Sequence, residues 1–184
     1  VFLLVDSNTL EHCLPKLASE LSNLESFEIL EMPPGEINKA WEIAGQLLLS
    51  LSELGADRNS LLISLGGGVV TDMGGFIASV YKRGITSVLV PSSLLAMTDA
   101  AIGGKTAVDL DSVKNLVGTF SAPSATVIWP DLLSTLPEEV YADGMAETFK
   151  HALLEDESLL NDLLNNHELL SDEQIVRSAR IKLN

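Results

Sequence analysis

Positive charge is what this sequence has least of: 11 lysines and arginines stand against 26 aspartates and glutamates, a formal net charge of −15 over 184 residues. Nucleic acid and anionic lipid both need dense basic patches, so neither is an expected partner. Cysteine occurs once, as Cys13, which excludes an internal disulfide and suits a reducing cytosol. Cys13 reads as helix packing rather than as a nucleophile. Long hydrophobic runs are missing too. The apolar stretches are strand-sized, none nears the ~18–20 residues that span a bilayer, and the opening VFLLVD meets an acid too early for a signal-peptide core. What remains is 46% hydrophobic, with mean hydropathy +0.27. That is enough for one packed domain and part of a second.

The few basic residues are informative by placement. Arg83, Lys105, Lys114 and Lys150 lie beside glycine, asparagine or small residues rather than on an ordinary charged helix face. For any one of them a solubilising role suffices, but four together point to an anionic small molecule. The ends carry a further expectation. Val1 opens in mid-strand without a methionine, and IVRSARIKLN closes on a helical pattern without a stop signal, so the chain reads as an excerpt of a longer protein.

Along the first 130 or so positions, strand and helix patterns alternate: VFLLV, then Thr9–Leu24; FEILEM, then Glu36–Leu54; SLLISLG, then Val69–Lys82; SVLVP, then Ser92–Ala101. Alternation of this kind predicts βαβ units and a mostly parallel, Rossmann-like sheet. With Ile29–Met32 beside the first strand, right-handed crossovers would line up strand ends at Asp6, Pro33, Gly66 and Pro91 along the ligand-binding edge. Beyond Ala101, IGGKTAVDL reads as a glycine-opened strand or hairpin, Lys114–Phe120 as a loop and Thr126–Pro130 as a last strand. From Glu138 the patterns are helical: Glu138–Leu154, Glu157–Leu164 and Glu173–Leu183. The expected fold class is therefore α/β, with residues 1–137 as a nucleotide-binding domain and 138–184 as the start of an α-helical one.

Within the alternating region, LLISLGGGVVTD at Leu61–Asp72 has the order apolar strand, glycine turn, helix start. Gly66, Gly67 and Gly68 would permit a sharp turn and close backbone approach, and the following helix N-terminus favours an anion. Thr71 stands where the dinucleotide fingerprint G-x-G-x-x-G has its last glycine, so a plain strand-to-helix turn and a nucleotide site both remain open. In GMAETFKH, helical spacing puts Glu147 on one face with Lys150 and His151. Glu-x-x-x-His could ligate zinc, and a surface salt bridge with a solvated histidine fits the same spacing. His12 and His167 complete no site.

The segments GGGVVTDMGGF, YKRG, VPSSLLAMTDAAIGGKTAVDL, KNLVGTF, TLP and GMAETFKHALL, in this order and spacing, resemble the 3-dehydroquinate synthase family from Val1 to about Leu154. The resemblance implies conversion of 3-deoxy-D-arabino-heptulosonate 7-phosphate to 3-dehydroquinate and phosphate in the shikimate pathway. It also implies catalytic NAD+, a divalent Zn2+ or Co2+ ion, a cytoplasmic location and a homodimer. Asp6, Asn8, Glu36, Lys39 and the run Gly67, Gly68, Val69, Val70, Thr71 and Asp72 would hold NAD+, together with Ser92, Ser93, Lys105, Lys114, Leu132, Leu133, Ser134 and Thr135. Asp99, Lys105, Asn115 and Lys150 would serve the phosphorylated substrate, with Arg83 reaching across the dimer interface. Glu147 would bind the metal. Its two histidine partners are expected beyond Asn184, and the position of His151 is not a ligand position in the family pattern. Val140 replaces a frequent glutamate of that pattern. Related sugar phosphate cyclases making deoxyinosose or valiolone-type products, a polyol dehydrogenase, and nucleotide binding without turnover are the alternatives.

Overall fold

A computed structural model describes residues 1–20, 26–165 and 169–183. His167 and the end of the helix expected over Thr9–Leu24 lie outside the described residues. Five strands, β1 (Phe2–Asp6), β2 (Glu28–Met32), β3 (Leu61–Gly66), β4 (Thr86–Pro91) and β7 (Ala125–Thr126), form one parallel sheet in the order β2-β1-β3-β4-β7. The apolar runs of β1, β3 and β4 make its centre, which is buried on both faces, while the edge strand β2 buries only Leu30 and Met32. Along β1, for example, Leu4 packs into the core on one side, while Leu3 and Val5 pack into the core on the other.

Helices α3 (Trp41–Glu53) and α4 (Gly68–Val80) cover the first face; α1 (Ser7–His12), α2 (Leu14–Glu20), α5 (Glu138–Glu155), α6 (Glu157–Asn165) and α7 (Asp172–Leu183) cover the second. Because β1 leads outward to β2 while β3 leads the other way to β4, the connections diverge between β1 and β3. A crevice therefore opens at their carboxyl ends, Asp6 and Gly66, as expected for an open α/β sheet.

Five expectations need correction. The segment Lys114–Phe120 is not a loop: β6 (Val113–Phe120) pairs antiparallel with β5 (Lys105–Leu110) as a separate hairpin. Its side chains are mostly exposed, so burial imposed no alternation to read. The last strand is only two residues, after which Pro130–Thr135 is a 3-10 turn. The helix expected from Glu36 is a 3-10 turn at Glu36–Asn38 followed by α3, and Thr9–Leu24 is broken at Cys13. The Ser92–Ala101 helix contains a π-helical turn at Ala96–Ala100, a wide turn that carries Asp99. Among the described residues no helix is long and apolar enough to cross a membrane.

Candidate active site

The triple glycine works differently from the expected sharp turn. None of Gly66, Gly67 and Gly68 has positive φ, so left-handed backbone is not why they are glycines. The requirement is clearance. A Cβ on Gly66 would lie 2.4 Å from the Cβ of Val70. Gly67 is the N-cap of α4 with no side-chain cap, so the first N–H groups of that helix face outward without a protein partner of that kind. They open on a cleft of about 580 Å³ at the β1/β3 crevice.

Asp6, Asn8, Glu36 and Lys39 line this cleft on one side, and Gly67 to Val70 with Asp72 line its base. Ser92, Ser93 and Thr135 complete the set of expected cofactor residues that reach it. Asp6 also closes a capping box on α1: Oδ1 accepts from the Thr9 amide at 2.8 Å, and Thr9 Oγ1 accepts from the Asp6 amide at 3.0 Å. Other expected residues send their side chains elsewhere. Thr71 Oγ1 donates to the Gly67 carbonyl at 3.1 Å, Leu132 is buried in the core with Leu133 against it, and Ser134 donates to the Asp131 carbonyl at the exposed surface. Lys114 is exposed and pairs with Glu36 at 3.3 Å. Cys13 is buried, as expected for packing, and burial pushes its thiol pKa up.

A second cleft of about 510 Å³ shares Lys39, Asp72 and Ala100 with the first. Asp99, Lys105 and Asn115 all face it. Lys39, itself buried, is the hinge of this arrangement: Nζ donates to Asp72 Oδ2 at 2.5 Å and to Asn115 Oδ1 at 2.8 Å. Burial pushes the Asp72 carboxyl pKa up, with Lys39 acting against that shift. Asn115 adopts φ 54°, a left-handed conformation asparagine tolerates, and its amide N–H is fixed by Asp109 Oδ1 at 2.7 Å. With Oδ1 taken by Lys39, its NH2 group is the part left for a ligand.

Lys182 on α7 enters the same cleft and forms an ion pair with Asp99 that lacks hydrogen-bond alignment. Nothing local in RSARIKL marks Lys182; only the packing of α7 beside the π turn brings it there. On α5, Glu147 Oε1 accepts from Lys150 Nζ at 2.5 Å, and His151 Nε2 lies 3.3 Å from the same oxygen. Glu147 holds the exposed Lys150 ammonium above its usual pKa. His151 is not the solvated histidine of the surface-salt-bridge reading: it is 3% exposed, and burial pushes its pKa down. Asp99, Glu147 and His151 offer ligand atoms all within 4.8 Å of one another. Two of the expected substrate residues line neither cleft: Arg83 is exposed in the turn after α4, and Lys150 is exposed beside Glu147 on α5.

Comparison with known proteins places this architecture. The family model described as 3-dehydroquinate synthase N-terminal matches residues 29–143. A 3-dehydroquinate synthase from Parabacteroides distasonis is 43% identical over 154 residues, covering 84% of this chain and 43% of that protein. The chain spans about half the length of the curated relatives it matches. Among solved structures, a 2-epi-5-epi-valiolone synthase from Streptomyces hygroscopicus with NAD+ and Zn2+ bound superposes with TM-score 0.87 at 28% identity, covering 98% of this chain and 52% of that one. A 2-deoxy-scyllo-inosose synthase complexed with carbaglucose-6-phosphate, NAD+ and Co2+ gives 0.86, also at 28% identity, covering 98% and 51%. The glycine-lined cleft, the polar cleft beside it and these matches agree: the chain belongs to the 3-dehydroquinate synthase family.

Proposed function

We propose that the protein containing this chain is a 3-dehydroquinate synthase, eliminating phosphate from 3-deoxy-D-arabino-heptulosonate 7-phosphate and closing the ring with NAD+ and a divalent metal. The observation that carries the proposal is the meeting of the two clefts at Lys39, Asp72 and Ala100. A nucleotide in the first cleft would put its reactive end against a substrate in the second.

In this reading residues 1–137 hold the nucleotide and residues 138–184 begin the helical part. The N–H groups at the start of α4 receive the pyrophosphate, and Asp6, with one carboxylate oxygen engaged by α1, offers the other to a ribose hydroxyl. Bound NAD+ supplies a reversible hydride acceptor. Lys105 and Lys182 neutralise the substrate's phosphate and carboxylate, while Asp99 and the Asn115 amide orient its hydroxyls. Arg83 belongs to a partner subunit's site in a homodimer, which its exposed position leaves it able to reach. A cytoplasmic location agrees with the single buried thiol.

The residues also fit a divalent metal. Glu147 Oε2 makes no hydrogen bond among the described residues, the Asp99 carboxylate lies in the same cluster, and carboxylate oxygens are donors that Zn2+ and Co2+ accept. Glu147 would hold the ion, which when bound polarises the oxidised hydroxyl. Lys150, held protonated by Glu147, stays a cation beside it.

The solved cyclases acting on other sugar phosphates are 28% identical, the synthase from Parabacteroides 43%, which favours the heptulosonate substrate. Replacing Gly68 by valine tests the nucleotide cleft. Its Cβ alone would come 3.3 Å from Ala100 Cβ, and the branched methyls would occupy the cleft. Calorimetric titration should show NAD+ affinity reduced by at least about 100-fold, the effect of blocking close backbone approach; unchanged affinity would place the nucleotide elsewhere.

A further inference from the structure

The imidazole of His151 lies outside the expected site, yet it is buried at the contact between two helices and touches the carboxylate assigned to the metal. Its Nδ1 is 2.8 Å from Ser178 Oγ on α7, and Ser178 is itself fully buried. Its Nε2 is 3.3 Å from Glu147 Oε1. These two partners decide the tautomer. The approach to Glu147 lacks the alignment of a hydrogen bond, but a carboxylate oxygen repels a nitrogen lone pair at this distance, so Nε2 carries the hydrogen; a neutral ring then accepts at Nδ1, and the serine hydroxyl donates there.

We infer that His151 is a positioning residue for Glu147: its ring lies against Oε1 from the buried side while Lys150 hydrogen-bonds the same oxygen from the exposed side, leaving Oε2 as the atom presented to a metal. Metal-binding carboxylates are commonly held by such outer partners, whose loss weakens binding without changing the ligand set. Ser178 extends the effect. It lies one turn before Lys182 on α7, so the hydrogen bond that fixes His151 also fixes the register at which Lys182 meets Asp99. One buried contact thus aligns Glu147 on α5 with Lys182 on α7, which meets Asp99 in the polar cleft.

The inference rests on Glu147 being a metal ligand, and Co2+ uptake by the full-length protein tests both levels separately. Chelator competition should show His151→Leu lowering Co2+ affinity by about 10–100-fold. At saturating Co2+ its visible absorption bands should stay at the wild-type positions. His151→Gln, which keeps an N–H donor near the Nε2 position, should recover most of the loss. Ser178→Ala should weaken binding roughly fivefold, and should add nothing when combined with His151→Leu. Unchanged affinity in His151→Leu, or in Ser178→Ala should the leucine variant not fold, would overturn the inference by reducing the histidine to packing. Shifted bands would overturn it by making His151 a ligand. Wild-type protein that takes up no Co2+ would instead overturn the metal reading of Glu147 itself.

Discussion

Lys39→Met should unfold at markedly lower denaturant concentration, losing about 3–5 kcal/mol of stability at neutral pH, the usual consequence of removing one partner of a buried ion pair. The isosteric stem keeps the packing, but Asp72 then sits beneath the sheet edge without a counter-charge and Asn115 Oδ1 without a donor. For a chain of this size the melting temperature should fall by roughly 6–20 °C. The pH dependence has a definite sign. A carboxyl whose folded pKa lies above its unfolded value binds its proton more tightly when folded, so its contribution is present at low pH and lost as pH rises through the folded pKa. Burial already pushes Asp72 that way, and removing Lys39 pushes it further. The penalty of Lys39→Met should therefore shrink in urea titrations at acid pH, and Lys39→Met with Asp72→Asn should recover much of it. A loss below about 1 kcal/mol at neutral pH would mean that water reaches the pair.

The second large effect is at Gly144, one turn before Glu147. A Cβ there would lie 2.6 Å from Leu94 Cβ and 2.6 Å from the backbone nitrogen of Leu95. Backbone cannot turn aside as a side chain can, so Gly144→Ala must push α5 away from the segment leading into the π turn. Overpacking of this kind costs about 1–3 kcal/mol. The catalytic cost is larger, because the same displacement separates Glu147 and Lys150 from Asp99: a shift near 1 Å should lower kcat/KM about 100-fold. Gly45→Ala on α3 is the control, since a Cβ there meets nothing within 4 Å, and it should leave activity unchanged. Full activity in Gly144→Ala would show that α5 can move freely relative to the polar cleft.

What the residues disclosed before any coordinates follows from what each element buries. The strands β1, β3 and β4 are apolar because both their faces are covered, while the edge strand β2 buries only Leu30 and Met32; the carboxyl ends fall at Asp6, Met32, Gly66 and Pro91, one residue short of the expected Pro33 in β2. The hairpin strand β6 was illegible for the opposite reason. KNLVGTF is mostly exposed, with Phe120 90% exposed, so no packed face dictates its alternation. The glycine-lined cleft was legible through short-range spacing at Gly66 to Asp72, although clearance rather than turn geometry makes Gly66 necessary. The polar cleft was legible only through resemblance, since Asp99, Lys105 and Asn115 come from three separate elements. Lys182 and the Ser178–His151 bond escaped because they depend on α7 packing against α5, a contact across 27 residues that no local pattern encodes. Lys39 looked like one more cofactor lysine, and only its burial reveals the ion pair joining both clefts.

Supplying the full-length protein with 3-deoxy-D-arabino-heptulosonate 7-phosphate, NAD+ and Zn2+ or Co2+, and following phosphate, product and NADH together, is the most direct trial. The two joined clefts predict phosphate released in equal amount to 3-dehydroquinate with no net NADH, because the hydride returns to the substrate. Net NADH without phosphate would make it a polyol dehydrogenase, and phosphate released only from glucose 6-phosphate or sedoheptulose 7-phosphate would make it a different cyclase; either result would contradict the proposal.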